Sequence, residues 1–136
     1  MRLFIVLALS LFVSALSAQT EVPEDPFAVV TPVQTQLDAY NTGNLELFLS
    51  AYSDTIKIWN FPDVLSFTGK EEMRKRYGSM FEKLPDLQCR LVSRTVMNDK
   101  VIDHESVVWR KENPPSEVIA IYRVADGLIQ EVWFME

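Results

Sequence analysis

The sequence predicts an α+β domain in which helices precede most of a sheet. Three segments of the first half carry apolar residues at helical spacing, and the chain from residue 87 onward alternates with period two. A short pair of strands lies between the second and third helices. Helices followed by a run of antiparallel strands are typical of α+β proteins. With 136 residues, one domain is expected.

Residues 1–18 have the layout of a secretory signal peptide. Arg2 precedes an apolar run over residues 3–9 and 11–13, and small residues follow. Both Ala15-Leu16-Ser17 and Leu16-Ser17-Ala18 fit a cleavage site. The run is shorter than the roughly 20 residues that a membrane span needs. We therefore expect export to the periplasm or the medium, no membrane association after cleavage, a flexible leader over residues 19–29 and one domain over residues 30–136.

Charge and cysteine content exclude several classes of partner. The net charge is −6 and no basic cluster occurs, which argues against nucleic acids and anionic membrane surfaces. Cys89, the single cysteine, is expected as a buried residue of a strand. One histidine and one cysteine without paired spacing predict no metal site. We also expect no cofactor, because phosphate-loop, dinucleotide and G-x-S-x-G patterns do not occur.

The three helices have recognisable ends. Thr31-Pro32-Val33-Gln34 predicts a capped start, and the first helix should end at Gly43. Asn44 is expected to cap a second helix, and Thr68-Gly69-Lys70-Glu71 to cap the third. The apolar faces are formed by Val33, Leu37 and Tyr40, by Leu45, Phe48, Leu49 and Tyr52, and by Met73, Tyr77, Met80, Phe81 and Leu84.

Six strands account for the remaining pattern. Turns are predicted at Pro62-Asp63, Asn98-Asp99 and Asp126-Gly127. The expected strands are Thr55–Phe61, Val64–Thr68, Leu87–Met97, Lys100–Lys111, Glu117–Ala125 and Leu128–Met135.

Several motifs resemble SnoaL-like proteins of the nuclear transport factor 2 / ketosteroid isomerase superfamily. The resemblance covers nearly all of residues 30–136 and rests on Leu37–Asn44, Phe61-Pro62, Phe67–Glu71, Val101–Glu105 and Tyr122–Gly127. It implies a cone-shaped fold, in which a strongly curved, mostly antiparallel sheet of about six strands packs on three helices around an apolar pocket. It also implies a homodimer formed through the outer sheet face. Activity does not follow, because the superfamily contains isomerases, cyclases, hydrolases and non-catalytic binders.

The chemistry of ketosteroid isomerases is not preserved at the matching positions. Those enzymes use an aspartate base, with a tyrosine and a protonated aspartate as oxyanion donors. The resemblance carries these roles to Asn60, Gln36 and Ala120, respectively. An amide cannot take a proton from carbon and alanine donates no hydrogen bond, so ketosteroid-type isomerisation is disfavoured.

His104 is the remaining candidate for catalysis, between Asp103 and Glu105. A two-residue turn at Asn98-Asp99 pairs Arg94 with Asp103 and Ser93 with His104. If alternation continues, His104 shares the more apolar face with Leu87, Cys89 and Leu91, so we expect it to face the pocket. There it is either a wall residue hydrogen-bonded to Ser93 or to a backbone carbonyl, or a general acid or base. The Asp103–Arg94 pair should then lie outside. A plain four-residue loop at residues 113–116 would place Ala120 and Tyr122 on the face of Asp103 and Glu105. Because the resemblance implies that Ala120 faces inward, this supports the alternative, in which Asp103 and Glu105 line the pocket.

Aromatic residues can serve as core, pocket wall or interface. Trp59, Trp109 and Trp133 are expected on outward faces, where they would cover a dimer interface. Core and pocket wall are the same surface in a cone. The predicted pocket comprises Gln36, Tyr40, Phe48, Tyr52, Ile58, Asn60, Phe67, Tyr77, Phe81 and Tyr122.

Three functions remain open. The first is an exported pocket protein that binds a small hydrophobic molecule. The second is an isomerase, cyclase or hydrolase acting on a small hydrophobic substrate, with His104 as acid–base and Asn60 and Gln36 as orienting groups. The third is an interaction domain with a filled cone. An open cavity around His104 would separate the first two from the third.

Overall fold

The computed structural model describes Asp25 and residues 27–136 and places three helices against one face of a six-stranded sheet. The predicted signal peptide and most of the leader lie outside the described residues. None of the helices in the described part is long and apolar enough to cross a membrane. The elements are α1 Val30–Thr42, α2 Leu45–Ser50, β1 Tyr52–Asn60, β2 Val64–Thr68, α3 Lys70–Lys83, β3 Gln88–Met97, β4 Lys100–Val108, β5 Ser116–Ala125 and β6 Leu128–Met135.

The sheet is curved and open, with the strand order β2-β1-β6-β5-β4-β3. Strands β1 and β6 are parallel, and every other neighbouring pair is antiparallel. Bulges interrupt the pairing, and such irregularities bend strands and increase their twist. The predicted α+β cone, three helices on a mostly antiparallel sheet, is confirmed.

The helix ends differ in how well the sequence predicted them. Gly43 ends α1 with φ of 64°, and the side chain of Asn44 accepts a hydrogen bond from the Leu47 amide at 3.1 Å, both as expected. The predicted cap at Thr31 is wrong, because α1 begins at Val30, one residue before it, without a side-chain cap. Gly69 precedes α3, also without a side-chain cap.

The strand bounds are close to the predicted ones. Those of β2 and β6 agree with the prediction, whereas β4 ends at Val108 instead of Lys111. Tyr52, predicted on the face of the second helix, begins β1 instead. Its ring still packs on Phe48, with 5.0 Å between centroids, so it remains on the core side.

A bulge in β3 determines which side chains face the helices. Arg94 pairs with Asp103, and Ser93 with His104, as the turn predicted. The register then shifts between Leu91 and Ser93, so that Leu91 pairs with Glu105. The extra residue reverses the alternation in the first half of β3 relative to its second half.

The core under the helices is rich in aromatic rings. Phe48 lies at its centre, 4.5 Å from Tyr77, 5.0 Å from Tyr52 and 5.7 Å from Phe81 between ring centroids. Tilted and edge-to-face contacts of this kind add to the stabilisation from burial. Next to this cluster the helices and the sheet leave a cavity.

Candidate functional site

Strand β4 presents its two carboxylates to the interior. Asp103 is 0% exposed and Glu105 is 5% exposed, and Asp103 pairs across the sheet with the buried Ala120 of β5. The alternative that the loop parity supported is therefore the observed arrangement. Alternation along β4 places His104, between them, on the outer face.

The prediction that His104 faces the pocket is wrong. Its side chain is 37% exposed, and its Nε2 lies 2.5 Å from Oε2 of Glu117 on the outer face. The prediction assumed unbroken alternation in β3, whereas the bulge brings Cys89 and Leu91 onto the Glu105 side. Cys89 and Leu91, which the prediction counted on the same face as His104, therefore lie on the opposite face of the sheet.

Asp103 is held in a closed ion pair. Arg94 donates from Nε and Nη2 to the two carboxylate oxygens, each at 2.7 Å, and from Nη1 to Oε1 of Gln34 at 2.8 Å. The pair was expected on the outer face, but it is internal, with Arg94 only 13% exposed. Two parallel hydrogen bonds to a planar guanidinium satisfy this carboxylate, which leaves it a structural role.

Glu105 has no such cation. The Tyr122 hydroxyl donates to its Oε1 at 3.1 Å. Gln36 donates from Nε2 to the Tyr122 hydroxyl oxygen, and the Tyr52 hydroxyl donates to Oε1 of Gln36, each at 3.1 Å. The four side chains form a chain of hydrogen bonds, contributed by β1, α1, β5 and β4, that ends on Glu105.

The surroundings of Glu105 favour its neutral form. Burial, and then the neighbouring Asp103 carboxylate, raise its pKa from 4.5 to about 7. Hydrogen bonds from Tyr122 and Cys89 and the charge of Arg94 act in the opposite direction but do not cancel this effect. Glu105 therefore changes charge near neutral pH, as a proton acceptor or donor at a catalytic site would.

Glu105 faces a cavity of about 180 Å³ between the helices and the sheet. An apolar cavity of about 150 Å³ accommodates benzene, so this one holds a ring with a short substituent. The wall is mostly apolar and aromatic: Gln36, Leu37, Tyr40, Tyr52, Tyr77, Met80, Cys89, Glu105, Val107, Trp109, Val118, Tyr122, Phe134 and Glu136.

The structure divides the predicted pocket residues into two groups. Five line the cavity: Gln36, Tyr40, Tyr52, Tyr77 and Tyr122. The other five lie elsewhere: Phe48 and Ile58 are buried in the core, Phe81 packs against it, the ring of Phe67 lies beneath Arg76, and Asn60 is exposed at the end of β1.

Glu105 and Trp109 are the main pocket residues that the sequence reasoning did not select. Loop parity was the signal for Glu105, and it was outweighed by the apolar count. Trp109 lies beyond the end of β4, so strand alternation does not govern it. Its Nε1 donates to the Ser116 hydroxyl at 3.1 Å, and its ring lines the cavity, so the prediction that it faces outward is wrong.

Metal-ligating side chains do not converge in the described part of the chain. Within Asp25 and residues 27–136, no three His, Cys, Asp or Glu side chains are arranged to hold a metal ion. Cys89 lies beside Glu105 in the cavity wall, and burial, followed by the Glu105 charge, raises the pKa of its thiol. A thiol kept protonated in this way is a poor nucleophile and a poor ligand.

Residues 33–132 match the sequence model of the SnoaL-like domain. The chain belongs to the SnoaL-like domain family. No curated protein matches its sequence significantly.

Solved structures share the fold of this SnoaL-like protein at low sequence identity. A cystatin-fold protein from Novosphingobium aromaticivorans has a TM-score of 0.72 and 19% identity, covering 79% of this chain and 97% of the other. A SnoaL-like protein from Burkholderia thailandensis has a TM-score of 0.68 and 16% identity, covering 79% and 92%. A provisionally named polyketide cyclase from Sinorhizobium meliloti has a TM-score of 0.68 and 13% identity, covering 82% and 99%. At these identities the likeness establishes the fold, and function has to be argued from the site.

Proposed function

We propose that the protein binds a small, largely apolar molecule in the cavity, with Glu105 as its main polar contact. The observation that carries this proposal is a buried carboxylate that faces a cavity with aromatic and aliphatic walls. Pockets for small molecules combine such walls with a few well-placed polar groups. An unfilled cavity lowers the free energy of unfolding. Val118 lines the cavity, so a larger residue at this position would fill it.

The binding test uses a ring-sized neutral probe and two matched variants. We expect 2-phenylethanol to bind in a calorimetric or ligand-observed NMR titration of the purified protein. Val118→Phe should fill the cavity and weaken binding by about tenfold or more. Ile119→Phe, one residue away on the outer face, should leave affinity unchanged. Equal affinities of both variants, at unchanged melting temperature, would contradict the proposal, as would absence of binding by the parent protein.

A second candidate function is catalysis of proton transfer, with Glu105 in the role first assigned to His104. The pKa of about 7 favours it, because a general base works best when its pKa is close to the working pH. The provisionally named polyketide cyclase shows that enzymatic roles have been considered for the same fold. The cavity size and the buried carboxylate are compatible with either binding or catalysis.

A base-sensitive elimination tests this candidate without knowledge of the substrate. In 5-nitrobenzisoxazole, removal of the carbon-bound proton breaks the ring N–O bond and releases a coloured phenolate. We expect the rate with the parent protein to rise through about pH 7 and to fall to background in Glu105→Gln. A rate that is the same for both proteins at every pH excludes Glu105 as a base for such substrates.

Export is part of the proposal and rests on residues 1–18. Their charged start, apolar run and small residues support cleavage after residue 17 or 18. Expression of the full chain, followed by fractionation and N-terminal sequencing, tests it. Retention in the cytoplasm of uncleaved chain would contradict export.

A homodimer through the outer sheet face is also proposed. A row of directly paired outward residues, Leu65, Trp59, Trp133, Ile121 and Ile102, crosses five strands. The two indole rings are stacked at 6.4 Å and 9°. Interfaces are enriched in aromatic residues. Ile121→Lys should convert a dimer into a monomer in sedimentation velocity, and a parent protein that is monomeric would refute the dimer.

A further inference from the structure

We propose that the cavity selects an organic cation, a small aromatic or aliphatic amine whose ammonium group pairs with Glu105. This inference rests on the proposed binding function and names the class of ligand for the same cavity.

The described cavity wall offers Glu105 no counter-ion. Among the described residues that line the cavity none is basic, whereas Glu105 and Glu136 are acidic. The neighbouring cation, Arg94, already makes two hydrogen bonds to Asp103 and one to Gln34. A carboxylate that is 5% exposed and lacks a cation carries an uncompensated negative charge when it is ionised, and a bound ammonium group would neutralise that charge.

Other hydrogen-bond acceptors lie in the same cavity wall as Glu105. Tyr40 and Tyr77 line the cavity, and their hydroxyls make no hydrogen bond to any residue in the described ranges. Their oxygens can accept from an ammonium group. Their rings, together with that of Trp109, offer faces that attract cations. A carboxylate surrounded by aromatic rings therefore suits a cation better than a neutral group.

An anionic or a neutral ligand fits the charges of the cavity less well than a cation does. An anion would face the carboxylates of Glu105 and Glu136 with no basic residue in the described cavity wall to offset them, and like charges at short range repel. A neutral molecule would fill the cavity but leave the Glu105 carboxylate without a cation. The net charge of −6 also attracts cations to the protein as a whole.

Size limits the cation. The cavity of about 180 Å³ admits one ring with a two-carbon chain and excludes larger polycyclic amines. 2-Phenylethylamine, 2-phenylethanol and phenylacetate are therefore matched probes that differ mainly in charge.

The titratable and charged groups around Glu105 determine the expected pH dependence. Burial raises the pKa of the neighbouring tyrosines and of Cys89 further above the neutral range, so they stay protonated. Arg94 remains a cation bound to Asp103. Glu105, with a pKa of about 7, changes charge between about pH 6 and pH 8. The titratable and charged side chains that surround Glu105 or line its cavity are Tyr40, Tyr52, Tyr77, Cys89, Arg94, Asp103, Tyr122 and Glu136.

The experiment is a calorimetric titration of the intact protein with the three probes at about pH 6 and pH 8. At pH 8 the amine should bind about tenfold tighter than the alcohol, and phenylacetate should bind most weakly. The affinity for the amine should fall about tenfold at pH 6, because roughly one tenth of Glu105 is then ionised. The affinity for the alcohol should change little between the two pH values.

Two variants isolate the carboxylate. Glu105→Gln should lose the preference for the amine over the alcohol, whereas Glu117→Gln, on the outer face, should bind the amine and the alcohol as the parent does. A parent protein that binds the alcohol as tightly as the amine, or a preference that survives in Glu105→Gln, overturns the inference and leaves the binding function intact. If none of the probes binds, the proposed binding function fails as well.

Discussion

The two buried carboxylates of β4 differ in whether a cation is paired with them. Asp103 and Glu105 lie two residues apart on the inner face and are 0% and 5% exposed. Asp103 receives two hydrogen bonds from Arg94, both at 2.7 Å. Glu105 receives hydrogen bonds from neutral groups, the Tyr122 hydroxyl at 3.1 Å and the Cys89 thiol. Burial alone therefore does not mark a functional acid, and the paired cation distinguishes the structural carboxylate of Asp103 from the carboxylate of Glu105, which faces the cavity.

The largest expected effect comes from removing the cation of the structural carboxylate. Arg94→Met leaves Asp103 buried without a partner, and breaking a buried pair in this way costs about 3–5 kcal/mol of unfolding free energy. Urea unfolding at neutral pH measures it. Removing both members, as in Arg94→Met with Asp103→Leu, should recover a large part of the loss.

Arg123→Met is the matched control for this variant. Arg123 and Glu131 form a pair of the same 2.7 Å length on the outer face, with side chains 33% and 18% exposed. Its loss should cost about 1 kcal/mol or less. Equal costs of the two arginine substitutions would show that the location of the Arg94 pair has no energetic consequence.

The second effect is a change in how stability depends on pH. The folded state raises the pKa of Glu105 from 4.5 to about 7, so the folded protein binds this proton more tightly than the unfolded chain does. Its contribution to stability is present at low pH and is lost as pH rises through about 7, by up to about 3 kcal/mol.

Glu105→Gln removes this titration while keeping an acceptor for Tyr122. We expect the variant to be more stable than the parent by about 2–3 kcal/mol at pH 8, with a much smaller difference at pH 5. Urea unfolding at both pH values measures the two differences. Parallel stability curves of parent and variant from pH 5 to pH 8 would mean that Glu105 has an ordinary pKa.

The sequence predicted the fold better than the site because the two depend on different information. The period of the pattern and the turn at Asn98-Asp99 determined the elements and the pairing of Arg94 with Asp103. The bulge before Ser93 leaves no clear mark in the sequence, and one extra residue exchanges the two faces of half a strand. The apolar count therefore assigned Cys89 and Leu91 to the wrong side of β4.

The chain of hydrogen bonds that ends on Glu105 was harder to predict from the sequence than the two faces of β4. Tyr52, Gln36, Tyr122 and Glu105 come from four separate elements, and the first three were predicted to lie in the pocket without any prediction that they contact one another. Their connection depends on side-chain positions to within a few tenths of an ångström, which periodicity does not encode. The length of the loop at residues 113–116, taken with the inward position that the resemblance implies for Ala120, was the sequence argument that put Glu105 on the inner face.

The smallest effect is expected at His104, on the other face of the same strand. Its side chain is 37% exposed and its partner Glu117 is 57% exposed, so water already solvates both groups. His104→Gln should change the unfolding free energy by less than about 0.5 kcal/mol. It should also leave the affinity for 2-phenylethylamine and its pH dependence unchanged, because the sheet separates the imidazole from the cavity. A weakened affinity in this variant, with Glu117→Gln unaffected, would place His104 in the pocket and reverse the assignment of the two faces of β4.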